Sequence, residues 1–147
     1  MAINHIPDGY TTITPYLIVE GADKLIEFIE TVFDGSVVMR MEGENGKVAH
    51  AEVKIGDSML MLADAGEEWK PMQAMLHLYV EDTDAVYQKA LDAGAVSVKE
   101  PADQFYGDRN SAVKDAFGNF WGISTHIEDV SDEEIQRRMQ SSSQATG

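Results

Sequence analysis

The sequence predicts an α+β fold made of two tandem βαβββ modules. Three observations carry this. The order strand, helix, strand, strand, strand is met twice along the chain. Gly35 and Gly94 hold matching places after the two predicted helices, each followed by a small residue and a valine-containing strand. Gly56 and Gly118 match in the same way, each opening the last strand of its half. A duplicated unit sets the architecture before any single element does.

The first module spans residues 11–64. "TTITPYLIVEG" (Thr11 to Gly21) is rich in β-branched and aromatic residues and predicts a strand. "ADKLIEFIETVF" follows, with Leu25, Phe28, Ile29 and Val32 at helical spacing as core residues. Gly35 is expected to stop this helix. "SVVMRME" predicts a strand, "GENG" (Gly43 to Gly46) a hairpin turn, and "KVAHAEVKIG" and "DSMLMLAD" two more strands. A linker, "AGEEWKPMQA", occupies residues 65–74.

The second module spans residues 75–126. "MLHLYVED" predicts a strand, and "TDAVYQKALDA" a helix capped by Thr83 and closed by Gly94. "AVSVKEP", "NSAVKDAFG" and "NFWGISTH" complete the set. Ser131 with Glu134 forms a capping box that opens a C-terminal helix over residues 132–139, with i,i+4 pairs Glu133–Arg137 and Glu134–Arg138. The polar tail 140–147 is expected to fray.

Composition narrows the function. A chain of 147 residues has the length of one domain, and 44% hydrophobic residues can supply a core. The 26 acidic against 11 basic residues give a formal charge of −15, which repels phosphate backbones and anionic membrane surfaces, so neither nucleic acid nor membrane is an expected partner. The absence of cysteine excludes disulfides, thiolate zinc sites and a cysteine nucleophile. The start "MAINHIPDGY" lacks the basic and apolar regions of a secretory signal, and no apolar run approaches the roughly 20 residues of a membrane span. The expected compartment is the cytoplasm.

Strand alternation sorts the residues into faces. Ala51, Val53 and Ile55 share one face and His50, Glu52 and Lys54 the other; Leu76, Leu78 and Val80 oppose Met75, His77 and Tyr79. Trp121, Ile123 and Thr125 oppose Phe120, Gly122, Ser124 and His126. The aliphatic faces suit packing against helices. The others gather three of four histidines with Glu52, Tyr79 and Ser124, the mixed lining of a small-molecule pocket. Tyr16, on the opening strand, joins them as a candidate ligand contact. In the loop "DQFYGDR", Phe105 and Tyr106 would supply flat walls, Gly107 a bend, and Arg109 a planar fork for an anionic substrate. Arg109 has an alternative role, bonding a neighbouring aspartate to rigidify the loop.

The strings "TPYLIVEGADKLIEFIETVFDG", "HAEVKIGDSMLMLAD", "LHLYVEDTDAVYQKALDAGA", "DQFYGDR" and "DAFGNFWGISTHIEDVSDEEIQRR" resemble the vicinal oxygen chelate superfamily (the glyoxalase, bleomycin-resistance and dioxygenase fold), and within it the PhnB-like branch. The resemblance covers Thr11 to Met139. It implies a cup-shaped sheet with helices outside, within a homodimer. The metal enzymes of the superfamily hold a divalent ion through His, Glu or Gln on the first and last strand of each module. Those positions fall on Thr14, about Leu60, Met75 and Gly122, none a usual ligand, so the resemblance implies no cofactor. Where the branch commonly shows DPFGH, this chain reads "DAFGN", with Asn119 in place of the histidine.

Three functions remain open at this point, the third being an interaction module whose dimer surface is its function. The first is a metal-independent small-molecule-binding protein that sequesters its ligand, as bleomycin-binding relatives do. The second is a lyase, isomerase or dioxygenase that uses a shifted divalent-metal site among His50, Glu52, His77 and His126, or His50 and His77 as acid and base.

Overall fold

The computed structural model describes residues 2–146, with side chains described through residue 141. The chain divides into two compact units, Met1–Ala74 and Met75–Gly147. The first contains β1 (Tyr16–Val19), α1 (Ala22–Phe33), β2 (Ser36–Glu42), β3 (Val48–Ile55) and β4 (Ser58–Asp64). The second contains β5 (Met75–Tyr79), α2 (Thr83–Asp92), β6 (Val96–Asp103), β7 (Asp108–Lys114), β8 (Phe120–His126) and α3 (Asp132–Thr146). Each unit has a four-stranded mixed sheet, ordered β1-β4-β3-β2 in one and β5-β8-β7-β6 in the other. The βαβββ order expected from the sequence is the order observed.

In both sheets the first strand pairs in parallel with the last, and the other neighbours are antiparallel. A parallel pair needs a long crossover, and the chain supplies one through the helix and two intervening strands. α1 turns Leu25, Ile29 and Val32 inward, and all three are buried with Leu17, Ala51, Val53 and Leu62 of its sheet. In the second unit Val113, Trp121 and Ile123 are fully buried, together with Ala90 of α2. The opposite faces hold the polar residues that alternation assigns to them.

Several local expectations are corrected. The N-cap of α2 is Asp82, whose carboxylate accepts from Ala85 N at 3.1 Å, while the Thr83 hydroxyl is buried and donates to Ile123 O at 2.7 Å. The left-handed residue that ends α1 is Asp34 rather than Gly35. Residues 43–46 do turn the β2–β3 hairpin, with Glu44–Gly46 in a short 3-10 turn. Ser131 does cap α3, accepting from Glu134 N at 3.2 Å, and the helical backbone continues to Thr146, past the expected 139. Of the tail expected to fray, Gly147 and the side chains from 142 lie outside the described residues. Glu134 pairs with both Arg137 and Arg138, and the two guanidinium groups hold its carboxyl down to about 2.

Asp64 closes the first unit. Its carboxylate accepts from Gly21 N at 2.8 Å, Ala22 N at 2.9 Å and Val48 N at 2.7 Å. Burial alone would raise this carboxyl, but the amides of Ala22, Val48 and Gly21 outweigh it and hold it below the usual carboxylate range. Asp64→Asn turns a donor group toward backbone donors, and we expect a loss of about 2–4 kcal/mol in urea unfolding at pH 7. A carboxyl depressed in the folded state stabilises fully above its unfolded value of about 4 and ceases to do so as pH falls through the folded value. The stability curves of wild type and variant should therefore converge in acid.

Candidate functional site

In the first unit, β3 alternation puts His50 and Glu52 on the face away from α1, and Tyr16 stands on the same face of β1. Four side chains join there. The Tyr10 hydroxyl donates to Glu52 Oε1, Glu52 Oε2 lies 3.0 Å from His50 Nε2, and His50 Nδ1 lies 2.9 Å from the Tyr16 hydroxyl. Hydrogen bonds from Tyr10 and then His50 outweigh desolvation and lower the Glu52 carboxyl. Burial, followed by the bond to Glu52, pushes the Tyr10 phenol up to about 12.

Beside this cluster is a pocket of about 680 Å³, lined by Tyr16, Ile18, Ala49, Ala63 and Asp64 from the sheet and by Gly66, Glu67, Glu68, Trp69 and Met72. The last five belong to the segment read from sequence as a linker. That segment is held at both ends. Ala65 N continues the β1–β4 ladder to Val19 O at 2.8 Å, and Met72 N returns to Ile18 O at 3.1 Å. The intervening residues are thus presented as a pocket wall, with Trp69 57% exposed. Tyr10 and the wall carrying Glu67, Glu68 and Trp69 escaped the sequence reading. An aromatic preceded by two acids in "AGEEWKPMQA" was the available signal.

In the second unit, His77, Tyr79, Ser124 and His126 share one face with Asp108 and Asn110, as the register His77↔Gly122, Asn110↔Ser124 and Asp108↔His126 requires. Two chains of hydrogen bonds run across it. Ser124 donates to Asn110 Oδ1 at 2.6 Å, so His77 Nε2, 2.9 Å from Ser124 Oγ, must carry the proton of that contact. Asn110 Nδ2 then donates to the Tyr106 hydroxyl. In the second chain Tyr79 donates to Asp108 Oδ2 at 2.9 Å, and His126 sits between Asp108 and Asp129, 2.7 Å from each. Two carboxylate partners require two N–H groups, which is the imidazolium. Hydrogen bonds to Asp108 and Asp129 accordingly raise His126, and the bond to Asp108 raises the Tyr79 phenol. Asp108, Asn110 and Asp129 were not predicted as site residues.

The loop "DQFYGDR" is tighter than expected. It is a turn in which Gln104 N bonds Asp108 O at 2.7 Å, and β7 already begins at Asp108. Gly107 has φ +102, and a Cβ there would collide with Glu128 O, so only glycine fits. The early strand start decides the parity of the residues that follow. Tyr106 joins the polar face through Asn110, but Arg109, paired with Thr125, lies on the face of α2. Its guanidinium binds Asp84 at 2.7 and 3.0 Å and Asp103 at 3.0 Å. The expectation that Arg109 joins Tyr106 at a ligand mouth is therefore corrected. Arg109 ties β6 and β7 to α2.

The metal positions implied by the resemblance do not fit a metal ion. Leu60 is buried on the α1 side, opposite Val53, and Gly122 offers no side chain and lies beneath the His77 ring. Within each unit the candidates for a shifted site have other partners. His50 and Glu52 bind each other, His77 is committed to Ser124, and His126 to two aspartates. Among the described residues no three His, Asp or Glu groups are placed to hold a metal. Asn119 is fully buried in a turn whose Asp115 accepts from Phe117 N, Asn119 N and Trp121 Nε1 at 2.8–2.9 Å.

Paired βαβββ units, each with one polar, hydrogen-bonded sheet face, define the class of protein. The chain belongs to the Glyoxalase/Bleomycin resistance protein/Dioxygenase superfamily, whose family model matches residues 2–123. An uncharacterised protein of Mycobacterium bovis is 36% identical over 96% of this chain and 97% of its own length. The crystal structure of TioX from a Micromonospora species shares the fold with a TM-score of 0.68 at 22% identity, over 80% of this chain and 99% of that one. The PhnB protein of Bacillus cereus shares it with a TM-score of 0.62 at 19% identity, over 78% and 99%.

Two outcomes test the second-unit geometry. Gly122→Ala drives a Cβ into His77 Nδ1, so the ring must rotate off Ser124. We expect a changed His77 imidazole resonance by NMR at a cost of about 1 kcal/mol, the scale of one hydrogen bond. His126 should titrate above about 6.5 and return toward that value in Asp108→Asn. Its contribution to stability is complete below the unfolded value and disappears as pH rises through the folded one.

Proposed function

We propose that this chain is a small-molecule-binding member of its superfamily that works without the standard metal ligands and sequesters a planar, apolar cation in the pocket of the first unit. The observation that carries this reading is the pocket wall. Trp69 and Tyr16 offer aromatic faces, Met72 and Ile18 apolar contact, and Glu67 and Glu68 negative charge. An aromatic face near a carboxylate attracts a cation by quadrupole and charge together.

The rest of the molecule supports this choice of sign. The net charge is −15, and long-range steering favours cations. Each of the four arginines, Arg40, Arg109, Arg137 and Arg138, is already paired with a carboxylate, so none is offered to an anion. The reading includes a cytoplasmic homodimer. Among the described residues no helix is long and apolar enough to cross a membrane, and edge strand β2 exposes Val38 and Met41.

The test is a titration with planar aromatic cations such as ethidium, set beside the anion 8-anilinonaphthalene-1-sulfonate, followed by calorimetry and tryptophan fluorescence. Trp121 is fully buried, so quenching reports Trp69. We expect the cation to bind and the anion not to bind. Trp69→Ala should weaken the cation by about 0.5–2 kcal/mol, and Glu67→Gln with Glu68→Gln by about tenfold, or about 1.4 kcal/mol. Equal binding of the anion, or variants that leave cation affinity unchanged, would overturn the proposal.

A further inference from the structure

Tyr16 belongs to two assemblies at once. Its ring is a wall of the first-unit pocket, and its hydroxyl lies 2.9 Å from His50 Nδ1. Behind it exposure falls inward, from 46% for Tyr16 to side-chain values of 21% for His50 and 16% for Glu52. Tyr10 closes the far end by donating to Glu52.

The protons in this row can be placed. A carboxylate only accepts, so Glu52 Oε2, 3.0 Å from His50 Nε2, sets the proton on Nε2. A neutral His50 in that tautomer has a lone pair on Nδ1, and the proton of the 2.9 Å contact is then the phenol's. Passing it to Nδ1 makes an imidazolium held against the Glu52 carboxylate, which offsets the new charge. The arrangement is that of a hydroxyl backed by a base, itself oriented by a third group. Here the hydroxyl belongs to a half-exposed tyrosine that lines a pocket.

We propose that Tyr16 is a proton-transfer residue of the first-unit pocket, with His50 and Glu52 as the residues that position it and hold its proton. In the forward step the Tyr16 oxygen takes a proton from an O–H or N–H of a bound neutral or amine-bearing molecule as its own proton passes to His50 Nδ1. The reverse step returns it, and nothing is oxidised or reduced. The inference rests on the proposed pocket only for where such a molecule sits, because the reactivity of the hydroxyl is measurable without a ligand.

Aryl and alkyl sulfonyl fluorides test it. The phenol oxygen forms an S–O bond, the S–F bond breaks, fluoride leaves, and the phenol proton goes to His50 Nδ1 and then to water. The full chain is treated with phenylmethanesulfonyl fluoride, which is neutral, and with 4-(2-aminoethyl)benzenesulfonyl fluoride, which is cationic, and each tyrosine is followed by peptide mass mapping. We expect Tyr16 to react at least tenfold faster than Tyr79 and Tyr106 with both reagents. His50→Phe should slow it tenfold or more, and Glu52→Gln severalfold. Tyr16 reacting no faster than those two tyrosines in the wild type overturns the proposal without any variant, and so does an unchanged rate in folded His50→Phe. The reagent pair keeps the two readings apart. At Tyr16 relative to Tyr79 and Tyr106 we expect a larger rate ratio with the cationic reagent than with the neutral one; an equal ratio counts against the cation pocket, whereas loss of His50 dependence counts against the proton relay.

Discussion

One carboxylate holds the geometry of the first unit. A helix begins with backbone N–H groups that have no partner within it, and Gly21 at the N-cap of α1 has no side chain to offer. Asp64 supplies the missing acceptor from the end of β4, taking the amides of Gly21 and Ala22, and its second oxygen takes Val48 N at the start of β3. The start of the helix, the end of one strand and the start of another meet on one side chain. β3 is the strand that carries His50 and Glu52, so their placement opposite Tyr16 depends on this clasp. Asp64 also lines the pocket, but its oxygens are engaged by backbone. The charge available to a ligand there comes from Glu67 and Glu68.

The second unit meets the same demand with a local carboxylate, Asp82, which accepts from Ala85 N, and with neutral groups beneath the helix. Thr83 N donates to Thr125 Oγ1 at 2.8 Å, and the Thr83 hydroxyl lies among Ile123 O and Ser111 Oγ, all beneath α2. Burying hydroxyls is tolerable because each has a partner; an unmatched one would cost about 1–3 kcal/mol. At the other end of the sheet Asp115 gathers two amides and the indole N–H of Trp121, the largest fully buried side chain. The two units share a topology, and their polar anchors differ in chemistry and in place.

The fold was legible because strand alternation and the helical stripe are short-range signals repeated in both halves. Leu25, Ile29 and Val32 were read as core from spacing alone, and His50, Glu52, His77 and Ser124 were placed on the right faces. The partners of those residues were not legible. Tyr10 reaches Glu52 across 42 positions from a segment with no periodicity, and nothing local announces such a contact. Arg109 was misplaced through parity. Reading the loop as long put Arg109 beside Tyr106, but β7 starts at Asp108, and a strand shifted by one residue moves every side chain to the other face. The segment 65–74 looked like a connector because it lacks regular structure. Its role follows from two backbone bonds to β1, which no pattern of side chains encodes.

The polar faces of the two units differ in how their networks end. In the second unit one chain is closed by carboxylates, with Tyr79 stopping at Asp108 and His126 at Asp129; the other ends on the Tyr106 hydroxyl, in a turn pinned by Arg138, which donates to Phe105 O at 3.0 Å and to Glu128 at 2.7 Å. The carboxylates give the protons of Tyr79 and His126 strong acceptors and little reason to leave them, and the guanidinium fixes the turn. The first unit is closed at one end only. Tyr10 seals Glu52 from behind, and the row then runs through His50 to a phenol that is nearly half exposed and shares a wall with Trp69. Polar groups aligned toward an opening can exchange a proton with whatever enters it, because the charge formed behind the hydroxyl is already matched. The phenol at the end of the first unit's row lines a pocket, and this directs functional attention to the first unit, although the sequence displays more of its conspicuous chemistry in the second.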